Sequence, residues 1–383
     1  MFKITILLLC FSSCDRKRNF EKERKVFEHS KRMVLTDTLN IKLPDSISHI
    51  KSETRPFFSS DGWGFGYLTR GVDNNMYINR YLFQENKWEI IKINTQGPNQ
   101  VYGQGAFSFS EKNDMFYYFP LNTPRILEVK KNGEVQREHK YSPDRTVAYN
   151  SQVKSPNIID DGQSIFFDIG EYRSLEDVST YEEVSLIGIY DYQINKFRKI
   201  VKYPEEFHGK KWSPNDVAKN FVIADEKIFM SFSKSKYIYV YDLEGEFIEK
   251  STVGIDAIKD SEGLKSDDSF ANALAQVNNG YYHNLIYDKW RKVFYRIGIH
   301  YDVKQRVESP QDMGRAFQKR VMTIITFDSD LNIIAEAQFF TLQTFLMENY
   351  FLLNTDGFYL NATLPDQPEN LYKFIRLELR DIE

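Results

Sequence analysis

Six histidines, at 29, 49, 139, 208, 283 and 300, are the imidazoles available for acid–base or metal chemistry. None stands at a paired ligand spacing such as His-Glu-x-x-His or His-x-His, which places two ring nitrogens on one ion. His283 and His300 fall in neighbouring predicted strands, where two ordinary strand histidines are the simpler reading. Gly62-Trp63-Gly64-Phe65-Gly66 has glycine spacing, but no helix or lysine follows to make a phosphate loop. A strand kept slim for neighbouring aromatics explains it better. There is no Gly-x-Ser-x-Gly elbow for a serine nucleophile. The acidic pairs Asp160-Asp161 and Asp267-Asp268 lack the twelve-residue calcium-loop pattern and read as polar turns. No catalytic residue, metal ligand or cofactor is therefore assigned.

The two cysteines, Cys10 and Cys14, carry a different chemistry. Lys3, the apolar run Ile4–Leu9 and the exit Phe11-Ser12-Ser13-Cys14 describe a secretory signal. The exit resembles a bacterial lipobox, with Cys14 as the lipidated first residue, although Phe11 stands where Leu is usual. Residues 1–13 are thus expected to be a signal peptide. With no cysteine after 14, a disulfide framework is ruled out and the body must rely on its core. Residues 14–32 read as a tether, since eight basic and four acidic residues in 15–32 leave too little apolar content to fold. Its net charge of +4 would also lie comfortably against anionic headgroups, at ~1 kcal/mol per basic residue. Asp15 is followed by Arg16-Lys17-Arg18, so an outer-membrane anchor facing the periplasm is expected.

The elements that could position any site are strands. Phe, Tyr and Trp make up 15% of the 383 residues, residue types that fit pleated, half-buried strands. A net charge of −4 gives no basic field for nucleic acid, and no apolar stretch is long enough for a transmembrane helix. Short alternating strands recur around tight polar turns, as in Tyr237–Asp242, Leu243-Glu244-Gly245, then Glu246-Phe247-Ile248. Leu186–Asp191 with Lys196–Ile200, and Thr323–Asp328 with Ile333-Ile334, repeat the unit, and a further hairpin precedes each. Two hairpins make a four-stranded sheet, and sheets every ~40–60 residues make a β-propeller. Six are expected, over 54–94, 106–141, 157–203, 220–254, 280–340 and 346–380. The last lacks its outer strand. Thr38–Pro44 is the spare one, predicted to close the ring beside Leu371–Leu379. Residues 33–383 then form one all-β domain, expected to be monomeric. Two interruptions, 255–279 and 307–320, could hold short helices.

With its repeats and its signal, the chain resembles the six-bladed, TolB-like propeller superfamily. More narrowly, it resembles an uncharacterised domain-of-unknown-function family of Bacteroidota lipoproteins. Gln96-Gly97-Pro98-Asn99 is similar to the Gly-rich inter-blade junctions of such propellers. The resemblance implies an architecture and an envelope location, and supplies no catalytic residue. Asp37-Thr38-Leu39 and Asp45-Ser46-Ile47 resemble Bacteroidota O-glycosylation sites, which would modify Thr38 and Ser46.

Strand alternation sends the a–b and c–d connections of each sheet to one face and b–c and d–a to the other. The long connections, 142–156, 172–183, 204–219, 255–279 and 301–319, all fall on the second face, where a rigid scaffold would present them. A lipid-tethered binding platform follows, taking an envelope protein, peptide or glycan there. Glu205, Glu206, Lys210, Lys211, Asp267, Asp268, Arg315 and Lys319 give that face mixed charge, and Tyr181 and Trp212 are its expected aromatic anchors. The rival is a metal-dependent lactonase or esterase with acidic or His groups converging at the channel mouth.

Overall fold

The computed structural model describes residues 31–43, 55–59, 62–71, 75–93, 105–110, 114–120, 123–141, 147–149, 158–160, 163–171, 177–213, 216–260, 263, 269–302, 307–317, 319–340, 345–363, 368 and 370–381. Strand β1 (Lys31–Lys42) comes first. Blade 1 then holds β2 (Arg55–Ser59), β3 (Gly62–Arg70), β4 (Met76–Leu82) and β5 (Lys87–Ile93). Blade 2 holds β6 (Gly105–Ser110), β7 (Met115–Pro120), β8 (Arg125–Val129) and β9 (Val135–Lys140). Blade 3 comprises β10 (Val147–Tyr149), β11 (Ile158–Asp160), β12 (Ser164–Glu171), β13 (Ser185–Asp191) and β14 (Lys196–Lys202). Blade 4 is β15 (Lys219–Ala224), β16 (Lys227–Phe232), β17 (Tyr237–Asp242) and β18 (Phe247–Thr252). Blade 5 is β19 (Tyr281–Asp288), β20 (Val293–Tyr301), β21 (Arg320–Phe327) and β22 (Ile333–Phe340). Blade 6 adds β23 (Phe345–Leu353), β24 (Phe358–Thr363) and β25 (Leu371–Asp381).

Blade 6 is completed by β1, in the order β1-β25-β24-β23. Thr38 pairs with Ile375 and Lys42 with Leu371, so the predicted closure is present. It begins earlier than expected. The strand starts at Lys31, inside the segment read as tether, and a bulge between Leu35 and Thr38 separates two runs of pairing. Met33 and Leu35, just past the charge run, pack onto the blade 5–6 core while Lys31 pairs with Asp381 at 3.0 Å. Blade 3 also departs from expectation. Its inner edge is split: β10 pairs with the end of β12 and β11 with its start, so part of the predicted 142–156 connection is strand.

Sheets buried on both faces explain the aromatic content. In β7, Tyr118 packs toward blade 1 and Tyr117 toward blade 3, because successive strand side chains point to opposite faces. Six such interfaces run round the ring. The closing one joins Ile41 and Phe374 of blade 6 to Phe65 and Tyr67 of blade 1. Each fully buried ring contributes about 1.5–3 kcal/mol of transfer free energy. Gly66 serves this packing, since a Cβ there would press on the Phe107 ring at 3.2 Å.

Polar staples cross the same seams. Arg296 of β20, fully buried, donates to Ser231 Oγ at 3.0 Å and to the Lys236 carbonyl at 2.9 Å, and also to the Val253 and Ser235 carbonyls. Its guanidinium stacks on Tyr282, 3.5 Å from the ring centroid. Arg291 reaches the Asn354 and Thr355 carbonyls of blade 6, and Trp88 Nε1 donates to the Lys42 carbonyl across the closure. The hairpin turns are capped by the acids that end their strands. Asp242 Oδ1 accepts from Glu244 and Glu246 N–H, and Asp191, Asp288 and Asp328 do likewise.

Candidate functional site: the long-connection face

Because strands alternate, one face of the ring receives the a–b and c–d turns, each two to five residues long. The opposite face receives the b–c and d–a connections. All the helical segments of the described residues lie there: α1 (Thr180–Glu183), a single 3-10 turn at Glu205–Phe207, α2 (Ser269–Asn279) and α3 (Pro310–Phe317). Both longer helices fall in the two intervals the sequence left open for them.

Helices α2 and α3 form a cap above blade 5. Val277, Val307 and Ala316 are buried between them, flanked by Leu274, Tyr301 and Met313. Asn278 fastens the pair: its Nδ2 donates to the Val307 carbonyl at 3.0 Å, and its Oδ1 accepts from Val307 N–H at 2.8 Å. Ser309 caps α3, accepting from Asp312 N–H at 3.2 Å while its hydroxyl donates to the Asp312 carboxylate at 2.7 Å. Helix α2 ends on Gly280, whose φ of +64° suits the left-handed terminus and whose absent Cβ would strike the Ile299 carbonyl. A shallow groove of about 240 Å³ runs along the cap, lined by Ala271, Leu274, Ala275, Asn278, Val307 and Glu308. Phe270, 38% exposed, stands at the start of the same helix.

The two predicted aromatic anchors are elsewhere. Tyr181 is fully buried and Trp212 is 3% exposed, both inside the blade 3–4 core. Trp212 Nε1 donates to the Phe207 carbonyl at 2.8 Å and its ring packs 4.9 Å from that of Phe207; the Tyr181 hydroxyl reaches the Trp212 carbonyl at 3.4 Å. Burial pushes the Tyr181 phenol up to about 12, against the opposing pull of its bond to the Trp212 carbonyl. The expectation that these rings present themselves to a partner is corrected. Large rings on a connection gain more from the core below, provided their polar tips find a backbone acceptor, and both do.

Of the expected charged residues, Glu205, Lys210, Lys211 and Lys319 are exposed. Glu206 is engaged by Lys250 at 2.9 Å and by the Tyr239 hydroxyl. Asp267 and Asp268, and the side chain of Arg315, lie outside the described residues, as do Cys14, Ser46 and Gln96–Asn99. Thr38 is exposed, beside the bulge of β1.

Beneath the face, charged groups that the sequence did not single out cross the blade 3–4 and 4–5 seams. Lys219 of β15 reaches Asp168 of β12 at 3.4 Å, with both side chains almost wholly buried. Asn220 Nδ2 donates to the His283 carbonyl of β19 at 2.5 Å. Lys234, 4% exposed, donates to the Gly280 carbonyl at the foot of α2, and burial pushes its ammonium down to about 8. The first two join neighbouring blades, and Lys234 ties the end of the cap to the ring. His300 meets Thr323 Oγ1 at 3.2 Å within blade 5, and the buried His283 ring lies beside that of Tyr281. Among the described residues, no group of three or more His, Cys, Asp or Glu side chains converges as a metal site. No helix among them is long and apolar enough to cross a membrane.

Six sheets around a ring, five of four strands and one whose inner strand is split in two, with connections enlarged on one face, define a six-bladed β-propeller. The chain belongs to the family described as a domain of unknown function, DUF4221, whose model matches residues 28–338. A solved member of that family from Bacteroides vulgatus ATCC 8482 superposes with a TM-score of 0.77 at 16% identity, covering 93% of this chain and 100% of its own. A protein of Bacteroides fragilis NCTC 9343 described as exported superposes with a TM-score of 0.54 at 11% identity, covering 91% of this chain and 96% of its own. At those identities the likeness speaks for the fold. No curated protein sequence matches this chain.

Proposed function

We propose that this protein is an envelope-anchored binding propeller, held to the membrane through a lipid on Cys14, that engages a protein, peptide or glycan partner through its long-connection face. The observation that carries this reading is the segregation of structure. Every helical segment among the described residues lies on one face, while the a–b and c–d turns opposite are two to five residues long. A scaffold that varies one face and economises the other is built to present that face. The likeness to an exported Bacteroides protein supports an extracytoplasmic setting.

Affinity capture from the native envelope tests it. The intact chain is compared with a variant in which residues 303–318, carrying the whole of α3, are replaced by a short Gly-Ser turn. The partners recovered by the intact chain should be lost. Recovery of the same partners after trimming overturns the reading. A purified domain that retains a stoichiometric metal and hydrolyses lactones or esters would replace it with an enzyme.

A further inference from the structure

The direction of β1 has a consequence for how the molecule meets a membrane. In blade 6, β25 runs from the long-connection face to the short-turn face, pairing its first residue, Leu371, with Lys42 and its last, Asp381, with Lys31. Strand β1 is antiparallel to it, so Lys31 lies at the short-turn face and Lys42 at the long-connection face. The salt bridge of 3.0 Å between Lys31 and Asp381 fixes that end. Everything N-terminal to Lys31, Cys14 included, therefore leaves the propeller from the face of economical turns.

Reach makes this directional. Sixteen residues separate Cys14 from Lys31. A chain of that length, solvated as its composition predicts, has an r.m.s. reach of ~20–24 Å. The twelve residues of β1, at ~3.3 Å each, span ~40 Å of the propeller wall. To press the long-connection face against the bilayer, the tether would have to run back along that whole wall. At full stretch it has only ~55 Å to do so.

We infer that the propeller stands with its short-turn face toward the bilayer and its long-connection face, with the α2–α3 cap, directed away from it toward a partner in the aqueous compartment. This rests on the reading of Cys14 as the lipidated residue.

The test uses the full-length, lipidated protein in phosphatidylethanolamine–phosphatidylglycerol vesicles carrying a headgroup-linked acceptor dye. No cysteine follows Cys14, so single donor labels can be introduced at will. Glu244→Cys and Asp356→Cys place them in exposed short turns, and Lys211→Cys and Glu308→Cys on the opposite face. Energy transfer to the bilayer should be several-fold stronger from 244 and 356 than from 211 and 308. Equal transfer from the two faces, or the reverse order, overturns the orientation while leaving the anchor intact. Failure of the protein to float with the vesicles overturns the anchor and the orientation with it. A Cys14→Ser chain, read alongside, should neither float nor transfer energy.

Discussion

Two residues beneath the long-connection face carry consequences opposite to those their types invite. Trp212 invites a binding role, yet its ring is 3% exposed and its indole N–H is spent on the Phe207 carbonyl. Trp212→Ala should therefore cost stability, on the order of 3–5 kcal/mol for a buried aromatic, read as a fall in the urea midpoint. A variant that keeps its midpoint and loses only partner capture would return the ring to the surface. Lys234 invites no role from the sequence, yet its ammonium is buried against the Gly280 carbonyl and titrates near 8 rather than near 10.5. Between those values the unfolded chain holds a proton that the native state has released. Stability from this group therefore rises with pH across that window. Buried tyrosines such as Tyr282 and Tyr359, whose phenols are raised by burial, act in the opposite sense at higher pH but cancel between variants. The difference in Tm, intact chain minus Lys234→Met, should accordingly grow from pH 7 to pH 9.5. A constant difference would mean the ammonium is not held in the interior.

At the scale of strands and turns, the ring is only as closed as β1. Ile41 is fully buried in the interface between blades 6 and 1, whereas Asn40 beside it faces solvent. Ile41→Asp should cost on the order of 3–5 kcal/mol, the penalty of an uncompensated buried charge. Asn40→Asp should stay within ~0.5 kcal/mol. Equal effects of the two, in thermal or urea unfolding, would mean the strand is not part of the cooperative unit. The closure was legible because Thr38–Pro44 alternates and otherwise had no partner. Its first half was not, since Lys31 and Arg32 belong to a basic run and Met33-Val34-Leu35 after it is a short apolar stretch without alternation. Hairpins were legible for a chemical reason: the acid ending each of several strands also caps the turn, so Tyr-Asp and Phe-Asp mark the corner. The three residues of β10 carry no such mark and vanish into a connection. Tyr181 and Trp212 differ from expectation because a ring on a connection looks the same in sequence whether it points up or down. Only the carbonyls that accept from Trp212 and Tyr181 decide it, and those are set by the fold.

Across the whole molecule, the ring and its cap are held by cores of very different size. The six inter-blade interfaces form a continuous circuit, each with eight or more buried apolar residues. Among the described side chains the α2–α3 cap has three, Val277, Val307 and Ala316, and it is joined to the ring by Lys234, by the end of α2 at Gly280 and by neighbours on blade 5. Local opening takes its free energy from what it must uncover, so the cap should open without the blades. Amide hydrogen exchange should show the helical amides of α2 and α3 exchanging well before those in the centre of β20 and β21, which lie directly beneath them. Asn278→Ala removes both bonds to Val307 and should speed exchange in α3 several-fold while leaving the global urea midpoint nearly unchanged. If α3 instead exchanges only with global unfolding, the cap is an integral part of the ring. A partner would then meet a rigid surface rather than one whose binding energy must also order it, and affinity would track surface chemistry alone.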